Sequence, residues 1–460
     1  MYMFTLQDMQ QIKSFFNTGA TKPYAFRKQQ LQKLRSAIQK NEASLMEALY
    51  LDLHKPAGEA YSTEIGFVYA EISFALSHLK QWMKPVSVST PVALQPSSSK
   101  LIKDPAGTVL IIAPWNYPVQ LLLGPLVAAI AGGNCAVLKP TEFTPHTSLV
   151  LKQLIEACFE PNYIRLIEGD GAVVVPAILE ANRFDHIFFT GSIPVGKAIA
   201  KMAAEKLTPV TLELGGKSPC IVDKDADITT AARRITWGKF TNAGQTCVAP
   251  DYLLVHESVK SALLTAILNN LREFYGDDPL QSPDYGRIIN RKRYDTLISF
   301  LPQGKLITGG GTAVEEKYIA PALLEDVSPD APVMQEEIFG PILPVYTFTQ
   351  LEEVFAFIQK HPNPLSAYIF TTNKKTEQQF LAQVPFGGGC VNNTLVHLAN
   401  PNLPFGGVGN SGMGSYHGRY GFDTFTRTKG IVKTANWIDP SVKYPPFTKK
   451  KIRLFRWLMK

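Results

Sequence analysis

Residues 107–140 read GTVLIIAPWNYPVQLLLGPLVAAIAGGNCAVLKP. A short β-type run, GTVLIIAPW, gives way to the apolar helical stretch LLLGPLVAAIAGG and then to a second β-type run, CAVLKP. Strand, helix and strand in so short a span are the mark of a right-handed βαβ unit and a parallel sheet. The alternation continues outward through a helix near residues 146–159, then YIRLIEG, another helix, and HIFFTG. This pattern predicts a doubly wound, nucleotide-binding α/β domain. It restarts after TLELGG, through CIVD, a helix before Cys247, YLLVHES, a helix to Phe274, KLITGG and PILPVYTF, which predicts a second α/β domain. Upstream, apolar residues recur at helical spacing from about Leu6 to Met83, and the Ser- and Pro-rich segment 84–100 reads as an extended arm.

The expected organisation is therefore a cofactor-binding domain from residues 1–83 and 101–213 and a catalytic domain from 214–390. The arm 84–100 serves oligomerisation with part of the C-terminal segment 391–460, which is Gly-rich and ends in a basic-apolar tail. The bulk properties agree. A chain of 460 residues, 45% hydrophobic and 18% charged, is too long for one ordinary domain and too apolar for disorder or coiled coil. A net charge of +7 permits attraction to anions, yet no nucleic-acid-binding motif accompanies it, and no nucleic-acid partner is expected. The five cysteines are scattered and form no CxxC pair, so neither a metal site nor a disulfide framework is expected, and a cytoplasmic setting fits. The N-terminal residues do not read as a secretory signal, and the most apolar stretch, Val119 to Ala131, is shorter than the ~20 residues of a membrane span.

Six segments carry chemistry. In FTGSIPVGK (189–197) a strand ends at a Gly turn and a helix begins, where backbone N–H groups suit a phosphate; a plain strand-to-helix turn fits as well. In VLKPTE (137–142), Lys139 and Glu142 follow a strand at the carboxyl edge of the sheet, where such folds bind ligands. A carboxylate there accepts from a ribose 2′-hydroxyl and repels a 2′-phosphate, though a surface Lys and Glu beside a turn is the plainer reading. Cys247, in NAGQTCVAPDY (242–252), has small polar neighbours that leave its sulfur reachable, and a following helix start would lower its pKa. By residue type alone a buried structural cysteine is commoner.

Glu213, in TLELGGKSP (211–219), interrupts an apolar strand; desolvation would lift its pKa toward that of a general base, unless a paired charge holds it. Asn116, in APWNYP (113–118), stands between Trp115 and Tyr117, either as an oxyanion donor or as a turn residue before Pro118. Glu337, in QEEIFGP (335–341), suits a ribose hydroxyl pair or is a charged turn residue.

Taken in order and with their spacing, PWNYP, LKPTE, FTGSIPVGK, LELGGKSP, GQTC, EEIFGP and PFGGVGNSGMG resemble the NAD(P)-dependent aldehyde dehydrogenase superfamily from about residue 20 to residue 430. GQTCVAPDY, QEEIFGPILP and GMGSYHG look most like its class-3 branch, which acts on medium-to-long aliphatic and aromatic aldehydes. The resemblance implies a Rossmann-type cofactor domain with an atypical turn, a second α/β catalytic domain and a small bridging element. It implies Cys247 as nucleophile, Glu213 as general base, and Asn116 with the Cys247 backbone N–H as oxyanion donors. Lys139 and Glu142 would face the adenosine ribose, Gly191, Ser192 and Gly196 the pyrophosphate, and Glu337 the nicotinamide ribose.

Trp115, Phe339 and Phe405 would pack near the nicotinamide, with Phe405 and Tyr117 also at the substrate and Tyr61 and Thr246 as further lining. The implied cofactor is NAD, with NADP left open, and the implied assembly is a homodimer. Coenzyme-A-acylating relatives lack a base at the Glu213 position, so hydrolytic release of a carboxylic acid is expected. His417 reads as a packed or capping residue. The tail KKKIRLFRWLMK (449–460) reads either as weak contact with an anionic membrane surface or as a helix packed on the partner subunit or near the substrate mouth.

Overall fold

The computed structural model describes residues 4–459, so Met1 to Met3 and Lys460, at the ends of the expected first domain and tail, lie outside the described residues. The N-terminal helices begin with a capping box. The Asp8 N–H donates to Thr5 Oγ1 at 3.2 Å and the Thr5 N–H to Asp8 Oδ2 at 2.8 Å, which fixes the start of Leu6–Asn17. Helix Tyr24–Lys40 buries Leu31, Leu34 and Ile38 along one face. Glu42–Leu53 and Gly66–Trp82 complete the helical layer.

The chain then runs out as strands β1 (Val86–Val88) and β2 (Ser97–Pro105), which pair antiparallel. β2 runs on to Pro105, past the expected end of the arm at residue 100. Its nine residues pair one for one with Thr426–Thr434 far downstream, a contact invisible to a local reading.

Strands β3 (Thr108–Ile112), β4 (Cys135–Lys139), β5 (Ile164–Leu166), β6 (His186–Thr190) and β7 (Val210–Glu213) form a parallel sheet in the order β7-β6-β3-β4-β5. The chain steps outward from β3 to β5 and then returns to the other side of β3. The crevice between the carboxyl ends of β3 and β6 is thus the switch point where α/β sheets bind ligands.

The second sheet contains β8 (Pro219–Val222), β9 (Tyr252–His256) and β10 (Lys305–Thr308). A two-stranded ribbon of β11 (Thr312–Ala313) and β12 (Tyr318–Ile319) precedes its remaining strands. These are β13 (Ala322–Glu325), β14 (Ile342–Phe348), β15 (Ser366–Phe370) and β16 (Gly388–Val391), and the order is β10-β13-β14-β9-β8-β15-β16.

Each sheet organises its own apolar core, and the chain passes from one to the other between Leu214 and Cys220. The C-terminal segment does not stand apart, because Phe405, Tyr416, Phe422 and Phe425 return to the first core. There β17 (Gly412–Met413) pairs antiparallel with β7, Gly412 opposite Glu213. Gly412 takes φ +154°, and a side chain on it would meet the Leu212 carbonyl at 2.2 Å, so this brace needs glycine. The last strand, β18 (Thr426–Thr434), joins β1 and β2 in a separate three-stranded sheet.

One buried charge pair ties the helical layer to the first sheet. Lys55 Nζ lies 2.5 Å from Glu64 Oε1, and Glu64 Oε2 accepts the N–H groups of Val119 and Gln120 at 2.9 and 3.0 Å, at the start of helix Gln120–Gly132. Removing one partner of such a pair costs about 3–5 kcal/mol.

Candidate active site

The carboxyl ends of β3, β6 and β7 present Trp115 and Asn116, Gly191 and Ser192, and Glu213 to one cleft of about 670 Å³. From further along the chain, Cys247, Glu337 and Phe339 close the same cleft. A second cavity, about 170 Å³ and predominantly apolar, opens on the other side of the cysteine, lined by Tyr117, Trp237, Leu395 and Phe405 among others. Cys247, Glu213, Thr190 and Leu214 border both cavities, so the sulfur and the carboxylate stand where a polar space meets an apolar one.

Glu213 is 2% exposed, and neither carboxylate oxygen has a hydrogen-bond partner. Desolvation holds its pKa well above the ordinary carboxylate range. Its backbone carbonyl accepts the Gly191 N–H at 3.0 Å, which joins β7 to the turn after β6.

Cys247 is partly exposed. Burial of its thiol raises its pKa, the carboxylates of Glu337 and Glu213 raise it further, and the backbone N–H groups of Cys247 and Val248 pull it back. No helix starts after Cys247, contrary to the sequence expectation; the chain turns and enters β9. Helix Ile228–Phe240 and a 3₁₀ turn, Thr241–Gly244, precede it instead. In that turn Asn242, Ala243 and Gly244 all take positive φ (54°, 51° and 75°). A left-handed non-glycine residue stores ~1–3 kcal/mol, least for asparagine, and such strain clusters at functional sites.

Asn116 is 2% exposed. Its Nδ2 donates to the Gln245 carbonyl at 3.0 Å, two residues before the cysteine, and its backbone carbonyl accepts from Lys55 Nζ and Asn242 Nδ2, each at 3.0 Å. The amide is thus held rigidly, with its second N–H unassigned. Tyr117 donates to or accepts from Thr246 Oγ1 at 2.6 Å, and both residues line the apolar cavity. Tyr61 does not: it is 46% exposed, and Ser62 and Thr63 take that wall.

On the polar side, Ser192 is the N-cap of helix Ile193–Ala204 and spends no side-chain hydrogen bond on the cap. Gly191 borders the cleft, whereas Gly196 is buried, its missing side chain making room for Leu214 at 2.6 Å. Its glycine serves helix–strand packing, so it does not line the cleft. Lys139 and Glu142 stand one strand further on, at the end of β4, outside the cleft's wall. Lys139 Nζ donates to Glu142 Oε2 at 3.2 Å and to the Pro140 carbonyl at 2.6 Å.

Phe339 packs edge-on against Trp115 with centroids 5.2 Å apart. Phe405 lies instead on the apolar side, bridged to Tyr416 by two backbone hydrogen bonds. His417 is buried; its Nδ1 meets Glu71 Oε1 at 3.0 Å and its ring stacks on Tyr416, a packed position at the edge of the apolar cavity.

Several residues of the site carry no strong local signal. Lys217, just after the two glycines of LELGGKSP, pairs with Asp251 and donates to the Val333 and Glu336 carbonyls at 3.0 and 2.9 Å. It thereby fixes the Glu337 loop. Arg293 Nη2 donates to the Glu337 carbonyl at 3.0 Å. A side chain at Gly215 would fall 1.7 Å from Glu337 Oε2, so the carboxylate needs the glycine's space. Of these, only the Lys217 and Gly215 positions sit in a motif. Arg293, Trp237 and Leu395 reach the site from elements whose sequence gives no warning.

The polar cleft suits a dinucleotide on its own chemistry. It has a helix start for a phosphate, a buried Thr190 Oγ1 and Arg293 Nε without partners, and a carboxylate at Glu337 for ribose hydroxyls. Among the described residues, no group of three or more His, Cys, Asp or Glu side chains is disposed to hold a metal ion.

The profile described as "Aldehyde dehydrogenase family" matches residues 9–431. The chain is 52% identical to the 4,4'-diaponeurosporen-aldehyde dehydrogenase of Staphylococcus aureus over 440 residues, 95% of each chain. It is 44% identical to aldehyde dehydrogenase family 3 member B1 of Rattus norvegicus over 448 residues, 97% of this chain and 95% of that one. A solved structure of Staphylococcus aureus AldH in a substrate-bound state superposes with a TM-score of 0.96 at 51% identity, covering 99% of each chain.

Proposed function

The chain belongs to the aldehyde dehydrogenase family, an oxidoreductase using NAD or NADP, and we propose that it oxidises long apolar or aromatic aldehydes to carboxylic acids through Cys247. The observation that carries this reading is the shared border. One reachable thiol and one unpartnered carboxyl group stand between an apolar cavity and a cleft suited to a dinucleotide.

The aldehyde enters from the apolar side, where Trp237, Leu395 and Phe405 desolvate its chain. The Cys247 thiol gives up its proton to solvent, and the sulfur attacks the carbonyl carbon. The free N–H of Asn116 and the backbone N–H of Cys247 receive the resulting oxyanion, a role worth ~2.7–4 kcal/mol per donor. A bound NAD(P)+ supplies the hydride acceptor. Its phosphates would lie at Ser192 and the start of helix Ile193–Ala204, and its nicotinamide ribose at Glu337, with Trp115 and Phe339 beside the ring. A Cys247 adduct that had given its hydride to such a cofactor would be a thioester. Glu213 then takes a proton from water as it attacks, and the acid leaves with the Cys247 sulfur restored.

Lys139 and Glu142, next along the sheet, are proposed for the adenosine ribose, and the Glu142 carboxylate favours NAD over a 2′-phosphate. The apolar lining supports the long-chain reading, as does the 4,4'-diaponeurosporen-aldehyde in the name of the Staphylococcus aureus relative. Purified protein should form NADH with such an aldehyde. Cys247→Ala should lower turnover by ~10⁴-fold or more; retained turnover would refute the mechanism.

Two surface features extend the proposal. Val86, Val88, Val92 and Leu94 are exposed along the β1–β2 arm and support dimerisation there. Helix Lys449–Leu458 buries no residue, and its exposed Ile452, Leu454 and Trp457 interleave with Lys and Arg. No helix among the described residues is long and apolar enough to cross a membrane, so the helix is proposed to rest weakly on an anionic bilayer surface. Flotation with anionic vesicles, lost on truncation at Pro446, is the expected result. The five free thiols support a reducing, cytoplasmic setting.

A further inference from the structure

Behind the reacting groups lies a polar cluster around the half-buried Glu59 that the mechanism does not use. Glu59 ends the short helix Ala57–Glu59, and its Oε2 accepts the Asn242 N–H at 2.9 Å. That N–H belongs to the first of the three positive-φ residues that lead to Gln245, Thr246 and Cys247. The Asn242 side chain carries the constraint onward, since its Nδ2 donates to both the Asn116 carbonyl at 3.0 Å and the Gln245 carbonyl at 3.1 Å. Lys55 Nζ reaches the same Asn116 carbonyl while paired to Glu64. One carboxylate therefore holds the left-handed turn that aims the nucleophile, and through Asn242 it also steadies the oxyanion donor.

From this geometry we infer that Glu59 is a positioning residue, whose ionised carboxylate keeps the 242–247 turn in its reactive shape. A hydrogen bond to an ionised acceptor is about twice as strong as one to a neutral group, and the strained turn needs that difference. Burial pushes the Glu59 carboxyl up to about 7; Lys55 and the Asn242 N–H pull it back, and Asp284 adds to the rise. The other titratable groups facing it are Tyr117, Tyr275 and Tyr285, all held neutral by burial. The grip on the turn is therefore full above neutral pH and released below it.

The inference rests on Cys247 being the reacting thiol, which the Cys247→Ala assay tests separately. The test compares the full-length wild type with Glu59→Gln, measuring the rate of Cys247 alkylation by iodoacetamide and kcat with NAD and an aldehyde from pH 5.5 to 9. Effects of Glu213 and of the thiol itself occur in both proteins and divide out of the ratio. The wild-type to variant ratio should be near one at low pH and rise about tenfold through neutrality in both measurements, with the KM for NAD unchanged. Glu59→Asp, which keeps the charge, should recover part of the alkaline rate. A ratio flat across pH, or no recovery in the Asp variant, overturns the inference. If Glu59→Gln does not fold, wild type is compared with Glu59→Asp: a shifted midpoint supports the inference and an unmoved one overturns it.

Discussion

The two cavities that meet at Cys247 are built on opposite principles. The polar cleft is assembled from strand ends and tight turns, where close neighbours dictate residue identity: a side chain at Gly191 would meet the Phe189 ring and one at Gly215 the Glu337 carboxylate. The apolar cavity is walled by side chains from a helix (Trp237), an irregular loop (Leu395) and the C-terminal segment (Phe405), where many hydrophobic residues of suitable size would serve. The difference teaches that one side of the site is specified residue by residue, because it must hold a charged, multi-part ligand. The other is specified only in character, because the hydrocarbon chain proposed to fill it would impose little more than volume.

The comparison breaks most sharply at the border. Glu213→Gln should leave the first turnover's NADH burst intact and slow steady-state acid release by ~10²–10⁴-fold. Rapid-quench kinetics would check it, and equal loss of both phases would contradict the base assignment. On the polar side, Gly215→Ala forces the Glu337 carboxylate aside. Dinucleotide binding should weaken by ~10–100-fold, the worth of a charged hydrogen bond, with the apolar side untouched. Titration of cofactor fluorescence and an unchanged KM for the aldehyde would together establish that separation.

On the apolar side, Trp237→Ala should lower kcat/KM for a long-chain aldehyde by ~10–200-fold and leave a two-carbon aldehyde and the cofactor affinity nearly unchanged. A uniform loss across chain lengths would remove Trp237 from the substrate wall.

The smallest effect is on stability. Burial depresses His186 and His397 to about 4, below the unfolded value. The neutral rings therefore support the fold above pH ~6.5, and that support is lost as pH falls toward 4, by at most ~1.4 kcal/mol per histidine per unit. Melting temperature followed over that interval should fall more in the wild type than in a His186→Asn variant.

How much of this was legible beforehand follows the same division. The βαβ reading of residues 107–140 rested on local periodicity, and β3, helix Gln120–Gly132 and β4 lie where that periodicity put them. The candidate site residues are nameable because the order and spacing of their motifs resemble one family, where each motif alone leaves a plainer reading open. The resemblance implies Gly196 at the pyrophosphate and the structure packs it on Leu214, because a glycine needed for packing looks the same in sequence as one needed by a ligand. The helix expected after Cys247 is missing because the turn of positive-φ residues before it, held by Glu59 and Asn116, sends the chain straight into β9.

The sequence by itself determined the alternation of strands and helices and where the turns fall between them, since both depend on interactions within a few residues. Only the tertiary structure decided that β2 pairs with β18 across more than 300 residues and that the Gly-rich segment braces Glu213. It alone also decided that Glu59 holds the turn before Cys247. Those contacts depend on which distant surfaces fold against one another, and no local pattern of residues encodes that.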